Sequence, residues 1–205
     1  YNQIVRTGRM SCEKPNAQQF DKRAKSLVYT DTPTDGFLDI DASQIEFRTI
    51  VHYIQDERAI AAYQNDPKTD FHQWVADLCQ INRKPAKDIN FAQAFGAGKK
   101  KIVSMLASNP LIITAVNAEV DQMIKDGAIK PDDRMKAYAD LCWLRGEAVF
   151  NTYHASLPTL KKTSKKAEAI ARARGFVFNF FGRRRHLPPK ACHVAFNTLC
   201  QGTAM

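Results

Sequence analysis

Two hydrophobic periods divide the chain. Over residues 36–42 apolar side chains alternate with Asp39 and Asp41, a period of two that predicts a short strand. From residue 43 the period lengthens: Phe47, Ile50, Val51 and Ile54 recur at three- and four-residue steps, the spacing of one helix face. Ser43 and Glu46 are spaced as a capping box, so a helix is predicted to start at Ser43 and run over 43–64. Further helices are predicted near 70–80, 83–96 and 98–107. Asn109-Pro110 breaks the chain before a helix near 111–126, which Asp126-Gly127 closes. Pro131 opens another to about residue 150, through Met135, Tyr138, Leu141, Cys142 and Leu144; Trp74 and Trp143 are read as core residues. Pro158 starts a basic helix that runs to Arg174 and is ended by Gly175. Phe176–Phe181 reads as a strand, turned at Gly182 into 184–187. No internal repeat or low-complexity linker interrupts the pattern, and 205 residues suit one domain or two intimate subdomains.

The helix predicted over 83–96 carries chemistry as well as periodicity. Arg83, Lys87, Phe91 and Phe95 stand four residues apart. Each such step rotates only ~40° about the axis, so two cations and two rings form one slowly winding stripe. Cations at its start and rings at its end suit a ligand with a phosphate tail and a flat base, the shape of a nucleoside triphosphate. The helix start adds to this: Asn82 is a favourable N-cap, Pro85 is tolerated in the first turn, and the positive dipole end favours anions. Upstream, Asp41 closes the predicted strand just ahead of a helix N-terminus, where a carboxylate can hold Mg2+ against phosphate oxygens. Taken alone, the stripe fits an ordinary amphipathic helix equally well. Asp41 as a turn residue and Glu46 as a capping partner are each, alone, the better reading.

Charge changes the picture modestly. A formal net charge of +9 suits a polyanionic partner. The excess is clustered in 98–101, Lys161–Lys166 and Arg183–Arg185. Lys161–Lys166 is read as a solvated helix face. Gly182–Arg185 is read as a basic turn near a nucleic-acid backbone, with salt-sensitive contacts mainly to phosphate. Cys12, Cys79, Cys142, Cys192 and Cys200 are scattered without a CxxC pair, which argues against zinc and a disulfide framework and for a reducing compartment. There is no run of about 20 apolar residues and no signal-peptide pattern, so a soluble intracellular protein without a membrane partner is expected.

Two segments, in this order, sharpen the reading. Asp41-Ala42-Ser43-Gln44-Ile45-Glu46-Phe47-Arg48 resembles motif A of the family A DNA polymerases, the polymerase I type, and Arg83 through Gly96 resembles their motif B. Thr7-Gly8-Arg9-Met10-Ser11 with Pro15-Asn16-Ala17-Gln18 is similar to the segment ahead of motif A, and Asp70-Phe71-His72 to the fingers histidine motif. Gly182–Arg185 with Asn197 and Gln201-Gly202-Thr203-Ala204 is similar to the palm segment that follows the fingers. One such match is weak; five in order are strong. Ten residues separate His72 from Arg83, fewer than in the bacterial repair enzymes, and Phe95-Gly96-Ala97-Gly98 stands where the family usually begins Tyr-Gly. Both features resemble a phage-type or otherwise divergent member.

The resemblance implies an α+β fold, with a mostly helical fingers subdomain inserted in a partial antiparallel-sheet palm of a right-hand polymerase. It implies the N-terminal palm over 1–50, fingers over 51–174 and the return to palm over 175–205. The implied activity is template-directed transfer of a deoxynucleotide to a primer 3′-hydroxyl by a two-metal mechanism, in DNA replication. Asp41 would hold two Mg2+ ions with the Ala42 carbonyl helping, and Asp41, Arg83 and Lys87 are the catalytic candidates. His72, Arg83 and Lys87 would clamp the triphosphate, and Phe91 would pack on the incoming sugar and base. Gln44, Ile45 and Phe95 complete the nucleotide site, with Glu46 as a steric gate against a ribose 2′-hydroxyl. Arg9 and Gln201 would donate to minor-groove acceptors, which recur in all base pairs, while Asn16, Asn197 and His193 support the DNA. The family often has Arg where His193 stands. Phe95 lacks the family tyrosine's hydroxyl, which can bond the gate glutamate, so relaxed sugar discrimination is an expectation. The implied partners are primer–template DNA and deoxynucleoside triphosphates, in the cytoplasm of a bacterium or phage-infected cell; a processivity factor and an exonuclease domain stay open.

The chain runs from Tyr1 to Met205, inside the palm segment and ahead of the turn bearing the second metal-binding carboxylate. These residues alone are therefore expected not to polymerise nucleotides. Two other classes share part of this pattern. A single-subunit RNA polymerase shares the aspartate and the Arg/Lys helix, but its site must admit a 2′-hydroxyl and would want a small residue at Glu46. A basic helical module that binds DNA without chemistry explains the charge but not the ordered motifs.

Overall fold

The computed structural model describes residues 12, 14, 21–25, 27–32, 34–36 and 42–204. The strand predicted over 36–42 rests on residues 37–41, which lie outside the described residues, as do Arg9 and Asn16. A short helix, α1 (Lys22–Lys25), comes first.

The next helix, α2 (Ile45–Ile54), starts later and ends sooner than its periodicity predicts. Gln44 takes a left-handed φ of 54° and no side chain caps the helix, so the Ser43–Glu46 capping box does not form. Ser43 instead lends its carbonyl to Arg48 Nε at 3.0 Å. At the other end Gln55 turns left-handed and Asp56 starts a new helix, α3 (Glu57–Asn65). The Asp56 carboxylate accepts from the Ala59 N–H at 3.2 Å, and this local bond competes with helix continuation. One predicted helix is thus two.

Beyond α3 come α4 (Phe71–Cys79), α5 (Arg83–Ala94), α6 (Lys99–Ala107), α7 (Pro110–Lys125), α8 (Arg134–Ser156) and α9 (Pro158–Arg174). A 3-10 turn, Pro131–Asp133, leads into α8, which continues beyond its predicted end. The polypeptide leaves α5 through Phe95 and Gly96, whose φ of +88° is a conformation that favours glycine. Strands β1 (Phe176–Phe178) and β2 (Arg184–His186) pair antiparallel, with Phe176 opposite His186. β1 is shorter than predicted because Asn179 folds the chain back, its Oδ1 accepting from the N–H groups of Phe181 and Arg183 at 3.1 and 2.9 Å. A 3-10 segment, Pro189–Val194, then leads into α10 (Ala195–Thr203). The mostly helical α+β architecture agrees with expectation.

Apolar faces of these helices meet in one core, with Phe47 and Ile50 of α2, Val75 of α4, Ile89 of α5, Ile102 and Leu106 of α6, Tyr153 of α8 and Phe196 of α10 all buried. Trp74 packs against it, its ring 5.6 Å from that of Tyr153. Trp143 does not: it is 41% exposed. Its neighbour Cys142 and then Gly146, Val149 and Tyr153 carry the buried face of α8, and one residue's turn of about 100° swings Trp143 away from it. No single helix among the described residues is long and apolar enough to cross a membrane.

Helices α6 and α8 touch through a glycine. A Cβ added to Gly146 would lie 2.5 Å from Val103 Cγ2 and 2.9 Å from the Val103 Cα. Because one obstructing atom is backbone, side-chain rotation cannot make room. Gly146→Ala should therefore lower unfolding stability by about 1–3 kcal/mol in urea titrations, and adding Val103→Ala should restore only part of it. A neutral Gly146→Ala would contradict this packing.

Candidate active site

Helix α5 presents its two faces differently. Ala86, Ile89, Asn90 and Ala94 are buried, and the helix packs against α4. The opposite stripe borders a cleft of about 590 Å3. One wall of that cleft is the segment Ala42–Glu46 leading into α2; the other is His72 of α4 with Arg83, Lys87 and Phe91 of α5. Residues 45 positions apart in the chain, Ala42 and Lys87, are thus brought to one place.

Along the α5 wall the stripe is built as its spacing predicts. The Phe91 and Phe95 rings stack, 5.9 Å between centroids and 5° between planes. Lys87 Nζ lies 5.9 Å from the Phe91 ring centre, within cation–π reach. Asn82 occupies the N-cap position of α5, but its side chain makes no capping bond, contrary to expectation. The start of α5 is tied instead to the start of α4: Arg83 Nε donates to Asp70 Oδ2 at 2.6 Å. Asp70 also caps α4, its Oδ1 accepting from the N–H groups of His72 and Gln73 at 2.9 and 3.2 Å. One carboxylate therefore holds two helix starts, and Arg83 remains half-exposed at the cleft edge.

His72 is buried, at 2% exposure. Its ring lies 5.1 Å from Phe91 and 6.0 Å from Phe47, and its Nδ1 is 3.0 Å from Asn90 Nδ2. Burial depresses its pKa and the charges of Arg83 and Lys87 push the same way, against the Asp70 carboxylate. The ring is consequently neutral around pH 7. Behind it Asn90 Nδ2 also donates to the Phe71 carbonyl at 3.2 Å, while Tyr153 Oη donates to Asn90 Oδ1 at 2.8 Å. Sequence reasoning assigned no role to Asp70, Asn90 or Tyr153. Asp70 was recoverable as an N-cap ahead of an apolar helix; Tyr153, eighty-one positions from His72, carried no local signal.

The opposite wall is fixed by Gln44. Its Nε2 donates to the Thr69 carbonyl at 2.9 Å, and Tyr63 Oη donates to its Oε1 at 3.4 Å. The Arg48 guanidinium covers the Tyr63 ring at 4.3 Å. Ala42 and Ile45 are exposed and Glu46 is half-buried at the cleft. Asp41, the expected metal ligand, lies outside the described residues. Among the described residues no group of three or more His, Cys, Asp or Glu side chains is placed to hold a metal.

Among the described residues, His193, Asn197 and Gln201 do not line this cleft. His193 is exposed on the 3-10 segment, and Asn197 and Gln201 are half-buried one helical turn apart on α10. Asn197 Oδ1 is buried with no hydrogen-bond partner among the described residues. Helix α10 packs on α2, where Tyr53 Oη and Thr203 Oγ1 are 2.9 Å apart. Arg183 and Arg184 are exposed on the hairpin, with Arg184 5.4 Å from the Phe176 ring centre.

The Asp70 carboxylate predicts a pH signature. Burial raises its pKa, but the Arg83 side-chain bond, the Gln73 and His72 N–H groups and the Arg83 charge together hold it below the ordinary 3.8. The stability it adds is fully present above that value and fades as pH falls through the lower folded value. Asp70→Asn keeps a capping oxygen and should lose less than Asp70→Ala, by about 1 kcal/mol near neutral pH. The difference between wild type and Asp70→Asn in urea unfolding should shrink below pH 3.8. A pH-independent difference would refute the pairing.

Comparison with known proteins adds kinship. The family model described as DNA polymerase family A matches residues 1–119. The DNA-directed DNA polymerase of Pseudomonas phage M6 is 30% identical over 230 residues, covering 96% of this chain and 33% of the relative. The thermostable DNA polymerase I of Thermus aquaticus is 26% identical, covering 97% of this chain and 22% of the relative. In fold, the chain is similar to the POL domain of Pol1 from M. smegmatis, solved in complex with DNA primer-template and dNTP. That likeness has a TM-score of 0.60 at 22% identity, and covers 98% of this chain and 34% of that one. The chain thus spans about a third or less of the length of these relatives.

Proposed function

The chain belongs to DNA polymerase family A, and from that premise we propose that it forms the nucleotide-binding part of a DNA-directed DNA polymerase. The observation that carries the reading is the cleft between Ala42–Glu46 and the α5 stripe, with its mixed polar, cationic and aromatic walls. Lys87 and Arg83 at one end suit a triphosphate, and the stacked Phe91 and Phe95 suit a sugar and a base. His72 adds an N–H donor between them. Glu46, on the facing wall, is the group that would meet a ribose 2′-hydroxyl. The Asp41 carboxylate and the Ala42 carbonyl are the hard oxygen donors that Mg2+ takes, so these two residues would hold it. Bound there, Mg2+ would stabilise the attacking primer 3′-oxygen and the leaving pyrophosphate oxygen.

In this reading residues 1–50 belong to the palm, 51–174 to the fingers and 175–205 to the return toward the palm. His193, Asn197 and Gln201, with Arg9 and Asn16, would run along the primer–template duplex. Movement of α5 toward Asp41 on nucleotide binding would complete the site and exclude mismatched nucleotides. The role is replicative and the partners are primer–template DNA and deoxynucleoside triphosphates.

Two substitutions in the full-length enzyme test this. Lys87→Ala should lower kcat/KM for nucleotide incorporation by about 10²–10³-fold in primer extension, with retained affinity for primer–template. Near-wild-type rates would sink the assignment. Phe95→Tyr supplies the hydroxyl that would bond the gate glutamate and should reduce ribonucleotide incorporation relative to deoxynucleotide; an unchanged ratio would show that Phe95 does not relax sugar discrimination.

A further inference from the structure

The buried network behind His72 has a single self-consistent arrangement of protons. His72, Asn90 and Tyr153 are at most 2% exposed, so the polar atoms that do not face the cleft must be satisfied from within the protein. The Phe71 carbonyl can only accept, so the Asn90 atom 3.2 Å from it must be the amide nitrogen. The amide oxygen then faces the Tyr153 hydroxyl at 2.8 Å, and a flipped amide would set an oxygen against the carbonyl. The nitrogen has two hydrogens; one serves Phe71, and the other points to His72 Nδ1 at 3.0 Å. Nδ1 must therefore carry a lone pair, and the ring proton sits on Nε2. Of the two ring nitrogens, Nε2 is the one left for the cleft that His72 lines.

We propose that Asn90, anchored by Tyr153 and the Phe71 carbonyl, is a positioning residue that holds His72 as a neutral Nε2–H donor toward the phosphates of the bound nucleotide. This deepens the nucleotide-site reading above and rests on it. A ring in the other tautomer would turn a lone pair toward an anion and repel it. An imidazolium would set its Nδ1–H against the Asn90 amide hydrogen. Burial, Arg83 and Lys87 disfavour that second proton, while Asp70 favours it. The donor is thus oriented before the ligand arrives, and no proton need be gained on binding. The groups facing His72 are Glu46 from α2, Asp70 at the start of α4, Arg83 and Lys87 on α5 and Tyr153 on α8.

The test uses the full-length polymerase. Asn90→Asp replaces the amide donor with an acceptor, which favours a proton on Nδ1 and raises the imidazole pKa. Below that raised value the imidazolium still offers Nε2–H; above it the neutral ring turns a lone pair to the phosphates. The nucleotide KM of Asn90→Asp should therefore rise about tenfold between about pH 6 and pH 9, with kcat changing far less, while wild-type KM changes little. Two-bond 15N–1H correlation spectra of 15N-histidine-labelled wild type, with His72 assigned by its loss in His72→Gln, should show the Nε2–H tautomer. A flat KM in Asn90→Asp, or a wild-type Nδ1–H signal, overturns the proposal. If Asn90→Asp does not fold, the wild-type spectrum alone decides. An unchanged nucleotide KM in His72→Gln would instead overturn the underlying site reading, and the proposal with it.

Discussion

A carboxamide shut away from water can be satisfied only from inside the protein, and Asn90 finds its partners on three sides. Leaving one such group unmet costs about 1–3 kcal/mol, a sizeable share of a domain's net stability. Satisfying it fixes the roll of α5 relative to α4 and the depth at which α8 crosses behind them. With that roll set, Arg83, Lys87 and Phe91 have one direction left to face, and it is the cleft. Packing of Ile89, Ala86 and Ala94 supplies the larger apolar contribution, but apolar contacts tolerate small rotations that hydrogen bonds at about 3 Å do not.

The cleft is asymmetric in how its walls are held. The α5 wall is braced by a charged bond, Asp70 to Arg83, and by a buried neutral network. The facing wall hangs on Gln44, whose left-handed backbone turns the chain and whose side chain reaches across to Thr69. An anion arriving at Arg83 competes with the Asp70 carboxylate for the guanidinium. Because that carboxylate also caps α4, ligand entry and the start of the helix bearing His72 share one negative charge.

Much of this was legible in the sequence, for identifiable reasons. The four-residue stripe of α5 depends only on helical geometry and survived intact, as did the starts set by Pro110 and Pro158, where proline removes a donor the first turn does not need. Readings that depended on choosing between two local hydrogen bonds fared worse. Ser43 and Glu46 could cap, but the left-handed turn at Gln44 starts α2 without a side-chain cap; Asp56 could extend a helix but capped a new one; Asn179 could continue a strand but folded it back. Trp143, expected in the core, is exposed because its angular position on α8 turns it away from the buried face. Helix α10 was missed although Ala195, Phe196, Leu199 and Cys200 show its spacing. The partners of Asn90 could not have been found at all, since nothing in a sequence pairs residue 90 with residue 153.

The contact between Tyr53 and Thr203 joins groups 150 positions apart. Pairing so distant closes a large loop, and loop closure of that kind comes late in folding compared with neighbours such as α4 and α5. During synthesis the cationic wall would therefore assemble while α2 still lacks the helix that backs it. The newborn chain passes through a period in which both walls of its cleft exist but the Ala42–Glu46 side still lacks the helix that packs behind α2.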